Sequence, residues 1–310
     1  MVLKRELKIV IPYGRQEIDK SDIDAVVRVL QSDFLTQGPQ VPAFEAEVAK
    51  LTGATYGIAM NSATSALHAA CVALGVDKDD LVWTSSISFV ASANCAIYCG
   101  AEVDFLDVDP TTGNISIPAL EERLHKAQAA DRLPKVVIPV HFAGQPLDMK
   151  AIFELSQLYG FAVLEDASHA LGAQFDGDTV GGCRYSQITV FSFHPVKMIT
   201  TAEGGMATTN SAELAAKMQR FRSHGISRDL IGNRAEIDGD WTYDMIELGF
   251  NYRMADLFAA LGRSQLLRLH DFIEKREQIA RAYTTQLPEG IATPLNTIAG
   301  SKSSWHLFVV

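Results

Sequence analysis

The sequence predicts an α/β fold: a mostly parallel, seven-stranded sheet with helices on both faces. Three observations carry this expectation. Short apolar runs alternate with segments of helical period along residues 56–208. The runs are near-continuous in Val, Ile and Leu, as strands buried on both faces require. Polar residues fall just after the runs (Asn61 and Ser62, Ser85 and Ser86, His141, Asp166, and Ser192 to Lys197), at the strand ends where such sheets place ligands.

The elements follow in order. Apolar Ile23, Val26, Val27 and Leu30 have the spacing of an amphipathic helix over 18–31. The string Ser32-Asp33-Phe34-Leu35-Thr36-Gln37-Gly38-Pro39 reads as a loop, and 41–51 as a second helix. Strands are expected at 56–60, 81–84, 103–107, 135–140, 161–166, 187–193 and 204–208. Helices are expected between them at 64–74, 89–98, 117–129 and 149–159. Residues 254–286 read as one long helix. It joins a large domain, 1–265, to the start of a smaller C-terminal α/β domain, 266–310. The stretch Ser304-Trp305-His306-Leu307-Phe308-Val309-Val310 reads as a strand cut short, and the smaller domain as incomplete.

Composition narrows the function. Apolar residues make up 47% of the 310, enough for a large core. The net charge is −10, with 27 basic against 37 acidic residues, so the basic surplus of a general nucleic-acid binder is missing. A local anion site remains open. No apolar run is long enough to span a bilayer. Residues 1–7 lack the apolar core of a signal peptide, so a cytoplasmic protein is expected. Cys71, Cys95, Cys99 and Cys183 read as small apolar side chains in a reducing compartment.

Lys197 is the most informative residue. It ends Phe191-Ser192-Phe193-His194-Pro195-Val196-Lys197, just past an apolar strand. Desolvation there penalises the ammonium and yields a nucleophilic amine, the group that forms a Schiff base with an aldehyde cofactor. A surface lysine in a turn is the plainer alternative. Asp166 ends another strand, where a buried carboxylate needs a cationic partner such as a protonated pyridine nitrogen. A helix-capping carboxylate would explain it too. His169, three residues on, suits a cofactor hydroxyl or a structural role. His194 has no accompanying metal motif, and no metal is expected. Asn61-Ser62-Ala63-Thr64-Ser65-Ala66 lies between strand and helix, where small residues leave backbone N–H groups for a phosphate or simply cap the helix. Ser192 could add a hydroxyl, Phe89 could stack on a planar ring or join the core, and Asn251 could cap a helix or reach a phosphate.

Four strings together resemble the DegT/StrS family of nucleotide-sugar aminotransferases: Asn61-Ser62-Ala63-Thr64-Ser65-Ala66-Leu67, Glu165-Asp166-Ala167-Ser168-His169-Ala170, the Lys197 string with Thr200-Thr201-Ala202-Glu203-Gly204-Gly205, and Gly249-Phe250-Asn251-Tyr252-Arg253. Their order matches over nearly the whole chain. The resemblance implies a fold-type I enzyme dependent on pyridoxal 5'-phosphate. It implies Lys197 as the Schiff-base lysine, Asp166 as the pyridinium partner and His169 as the contact to the ring oxygen. Phe89 would stack on the ring, and Ala63, Thr64 and Ser192 would hold the phosphate. Asn251 would reach the phosphate in a neighbouring subunit, so a homodimer with shared active sites is implied.

Within the family, Ile11-Pro12-Tyr13-Gly14, the 32–38 loop, Thr84-Ser85-Ser86-Ile87-Ser88-Phe89-Val90 and Val140-His141-Phe142-Ala143-Gly144-Gln145 are most similar to the branch serving pseudaminic acid biosynthesis. That branch aminates C4 of a UDP-linked 4-keto-6-deoxy-2-acetamido sugar with L-glutamate. It implies substrate contacts from Tyr13, Asp33, Phe34, Leu35 and Thr36. Another nucleotide-linked keto sugar, such as a GDP-linked one, and a non-catalytic regulatory member stay open as alternatives. Lys197 itself argues against the family's dehydratases, which carry histidine there.

Overall fold

The computed structural model describes residues 14–227, 241–288, 295 and 297–310. The seven expected strands form one sheet in the order β1-β9-β8-β5-β4-β2-β3. They are β1 (Tyr56–Met60), β2 (Leu81–Ser85), β3 (Glu102–Leu106), β4 (Val136–Ile138), β5 (Ala162–Asp166), β8 (Ile188–Ser192) and β9 (Gly205–Thr209). Neighbours are parallel except around β9, which runs antiparallel to both β1 and β8. The chain between Ser192 and Gly205 therefore folds straight back, and this return carries Lys197. Two further strands, β6 (Gln174–Phe175) and β7 (Asp178–Thr179), pair in a small sheet with a C-terminal strand, Ser301–Lys302.

Helices cover both faces. α3 (Ala63–Ala73), α4 (Ala91–Tyr98) and α7 (Ala212–Phe221) lie on one side of the sheet. On the other, α2 (Gln40–Thr52) packs with Asp256–Leu266, α8 here, and α5 (Ile117–Ala129) packs with α6 (Met149–Tyr159). Both α5 and α6 have the expected bounds. Each is capped by a side chain, Ser116 and Asp148, that accepts from a backbone N–H in the first turn. α2 has no such residue of its own. The buried Asp256 carboxylate substitutes, accepting from Gly38 N and Gln40 N at 3.2 Å each.

Several expectations are corrected. α1 (Lys20–Leu30) forms, but its buried side is Asp22, Ala25 and Val29. Ile23, Val27 and Leu30 face outward. Asp22 is buried because Gln265 Nε2 donates to it at 2.6 Å and Arg268 pairs with it. The single helix of 254–286 is two, α8 and α9 (Leu269–Gln286), broken at Leu267 and Arg268. Residues 303–310 form no strand: Ser304 N and Leu307 N bond to the carbonyls of Gly144 and Ala143 instead of to a ladder. Asn251 caps no helix, since the residue before α8 is Ala255. α7, capped by Ser211, has no counterpart among the expected helices. No helix among the described residues is long and apolar enough to cross a membrane.

Candidate active site

β5 and β8 deliver the two key side chains. They are adjacent and parallel, so Asp166 and Ser192 end at the same edge of the sheet. Beyond Ser192 the return loop is pinned to Phe193: its carbonyl accepts from Thr201 N at 3.0 Å and from Thr200 Oγ1 at 3.1 Å, while its N–H donates to Gly204 O at 2.9 Å. Lys197 N bonds His194 O at 2.9 Å, which closes a turn inside the loop. Lys197 thereby lines a cavity of about 430 Å3 with Ser62, Ala63, Thr64, Phe89, Asp166, His169 and Ser192.

Asp166 is buried and Lys197 half-buried at the same cavity. Burial pushes the Lys197 amine below its ordinary value, and Asp166 opposes this only in part. Asp166 is 2% exposed. Its carboxylate accepts from Ser92 Oγ at 2.6 Å and from Ser168 N at 3.1 Å. His169 falls to about 4 through burial first and Lys197 second, against Asp166, so its ring is neutral. Its Nδ1 is buried with no partner.

The start of α3 lines the same cavity. Ser62 caps α3 in an extended conformation and accepts from Ser65 N at 3.1 Å. The N–H groups of Ala63 and Thr64 have no partner within the helix, and they stand at its positive end. β9 presses against them: a Cβ on Gly205 would lie 2.3 Å from Ala63 N. Phe89, 66% exposed, stands at the cavity mouth before α4.

The other sequence-predicted residues lie elsewhere. Asn251 is exposed and outside the cavity wall, with its carbonyl accepting from Asn61 Nδ2 at 3.4 Å. Asp33 and Phe34 line a separate groove of about 550 Å3 between α1, α2 and α8. Leu35 is exposed, and Thr36 bridges Ala255 through the backbone. Tyr13 lies outside the described residues. His141 is buried and turned from the cavity, with Nε2 2.7 Å from Glu165. Burial would raise the Glu165 carboxyl, but His141, Ser186 and Thr189 hydrogen-bond to it and hold it below its ordinary value. No group of three metal-ligating side chains is assembled among the described residues. Sequence reasoning missed Ser92, although helical spacing put it on the inward side of α4 with Cys95 and Ala96. It also missed His306, whose ring lies 4.3 Å from that of His169.

The profile of the DegT/DnrJ/EryC1/StrS aminotransferase family matches residues 16–310. The chain belongs to this family. It is 40% identical over 301 residues to the UDP-4-amino-4,6-dideoxy-N-acetyl-beta-L-altrosamine transaminase of Campylobacter jejuni, covering 97% of this chain and 76% of that one. Among solved structures it resembles PseC of Helicobacter pylori, an aminotransferase involved in the biosynthesis of pseudoaminic acid. The TM-score is 0.85 and the identity 33%, covering 96% of this chain and 76% of the other. Spr1654 of Streptococcus pneumoniae in its PLP form matches with a TM-score of 0.84 and 27% identity, covering 96% and 77%. As a DegT/DnrJ/EryC1/StrS member the protein is a sugar aminotransferase that uses pyridoxal phosphate. The cavity suits that cofactor: it offers a buried carboxylate, an amine whose pKa burial lowers, an unpartnered imidazole nitrogen and a helix N-terminus.

Proposed function

We propose that the protein transfers the amino group of L-glutamate to C4 of a UDP-linked 4-keto-6-deoxy-N-acetylhexosamine, in pseudaminic acid biosynthesis. The observation that carries the chemistry is one cavity shared by Lys197, Asp166 and the start of α3. The sugar rests on the 40% identity with the Campylobacter jejuni transaminase across 97% of the chain.

Bound here, pyridoxal phosphate supplies an aldehyde that exchanges amines and a protonated ring that accepts an electron pair. The Ala63 and Thr64 amides and Ser192 would hold its phosphate. Asp166 would keep the proton on the ring nitrogen, with Ser92 and the Ser168 amide fixing the carboxylate. His169 would meet the ring oxygen, and Phe89 would cover one face. Lys197 would give way to the amino donor, take the proton from its Cα, and later return a proton to C4 of the sugar. Burial favours the uncharged amine that this requires.

The reading includes a homodimer in which Asn251 reaches the phosphate of the neighbouring site, with Tyr13, Asp33, Phe34, Leu35 and Thr36 as substrate contacts. Exposed apolar residues support it: Ile23, Val27 and Leu30 on α1 continue into Phe34 and Leu35, and Trp241, Met245, Leu248 and Phe250 form a second stretch. The division into 1–265 and 266–310 is part of the reading, and the break between α8 and α9 falls beside it. Four free cysteines suit the reducing cytoplasm, the compartment proposed.

The test is incubation with the UDP-keto sugar and glutamate, followed by NMR identification of the product. A 4-amino sugar with matching 2-oxoglutarate supports the proposal. Turnover with a GDP-linked keto sugar alone would move the assignment to another substrate.

A further inference from the structure

His306 is 7% exposed and packs on His169, with ring planes 38° apart. Both rings carry a buried Nδ1 with no partner. The backbone around His306 is held from three sides. Ser304 Oγ donates to His169 O at 2.8 Å, which ties it to the imidazole's own residue. Ser303 Oγ and Ser304 N both donate to Gly144 O, at 2.9 and 3.1 Å. Arg276 Nη1, from α9, donates to the carbonyls of Trp305 and His306 at 3.2 and 3.1 Å.

Two backbone features make this approach possible. Trp305 takes a φ of +53°, a left-handed conformation uncommon outside glycine. Gly144 has a φ of +89°, and a Cβ there would lie 2.5 Å from Ser304 Oγ, 2.9 Å from His169 O and 3.0 Å from His306 N. Residues 303–306 thus occupy the space a side chain at 144 would need. Nothing in cofactor chemistry demands a second imidazole here, yet the local backbone is bent to supply one.

We propose that residues 303–307 form a clamp and that His306 is a positioning residue: its ring fixes the plane of His169 and so sets how firmly the cavity holds pyridoxal phosphate. The pair can pack ring against ring, tilted, because neither ring is charged. Burial lowers both, and Lys197 nearby acts in the same direction on each.

The experiment measures the dissociation constant of pyridoxal phosphate from the apoprotein, by visible absorbance and tryptophan quenching, for His306→Ala, His306→Phe, Ser304→Ala, His169→Ala and the His169→Ala/His306→Ala double variant. Thermal unfolding of each apoprotein verifies folding. His306→Ala should weaken cofactor binding about three- to tenfold, the worth of one buried ring pair. His306→Phe keeps the flat ring and should recover most of that loss. Ser304→Ala should weaken binding by a smaller factor and keeps the test alive should His306→Ala not fold. In the His169→Ala background, His306→Ala should change nothing further, because its effect runs through that ring. Affinity within twofold of wild type for both His306→Ala and Ser304→Ala, a His306→Phe variant as weak as His306→Ala, or losses that multiply in the double variant would each overturn the proposal.

Discussion

Gly205→Ala tests the cradle without removing any functional group. A Cβ at this position would lie 2.3 Å from Ala63 N, 2.5 Å from Ala63 Cα and 2.5 Å from Ser62 C. All three are backbone atoms, so no side chain can rotate out of the way. Either β9 or the start of α3 must move. Overpacking of this kind costs about 1–3 kcal/mol, and backbone contacts put this case near the upper end. At about 1.4 kcal/mol per factor of ten, a cost of ~3 kcal/mol is roughly a hundredfold loss of cofactor affinity if the displaced helix start carries all of it. If the apoprotein already absorbs the strain, its melting temperature falls by a few degrees instead. Equilibrium dialysis with pyridoxal phosphate and thermal unfolding of the apoprotein read the two shares. Gly14→Ala is the control, because a Cβ there meets only Val196, at an ordinary 3.6 Å. A Gly205→Ala protein that matches wild type in both measurements would refute the close contact and the cradle built on it.

Lys197→Ala should abolish turnover and the visible absorbance of the bound cofactor, and retention of both would remove Lys197 from its proposed role. Asp166→Asn should keep some cofactor bound yet lower the rate by about two to four orders of magnitude, the usual range for a lost proton-handling group, as steady-state kinetics will measure. Phe89→Ala should weaken cofactor binding by about fivefold, as one lost ring contact implies, and unchanged binding would place Phe89 in a purely structural role. Glu165 gives the pH dependence. Its folded pKa is depressed from 4.5, so its stabilisation is full above that value and fades as pH falls through the folded value. Glu165→Gln should therefore destabilise the protein at pH 7 and flatten the acid side of its stability curve. Parallel acid limbs in the two proteins would contradict this.

Much of the site was legible because it breaks local patterns. A lysine and an aspartate at the ends of apolar strands cannot be explained by the strands themselves, and the structure brings both to one cavity. α5 and α6 were legible because a capping Ser or Asp and a clear period mark them. The direction of β9 was not legible, since periodicity gives a strand but not its orientation. The outward face of α1 was hidden for a related reason: an apolar stripe does not say what covers it. The break between α8 and α9 has no Gly or Pro to announce it. The run 304–310 has strand-like composition but hydrogen-bonds to a loop, a choice only the tertiary structure makes. Ser92 and His306 contact residues far along the chain, Asp166 and His169, and no local string encodes such a contact.

Glu165 and Asp166 are neighbours on β5, so the pleat sends one carboxylate to each face of the sheet. The donors on the far face, from His141, Ser186 and Thr189, are placed to receive residue 165. A slip of one residue would exchange the two acids, leaving the shorter Asp to those donors and a longer Glu in the cavity. The back-face network thus acts as a register pin. A side chain outside the cavity decides which carboxylate lines it.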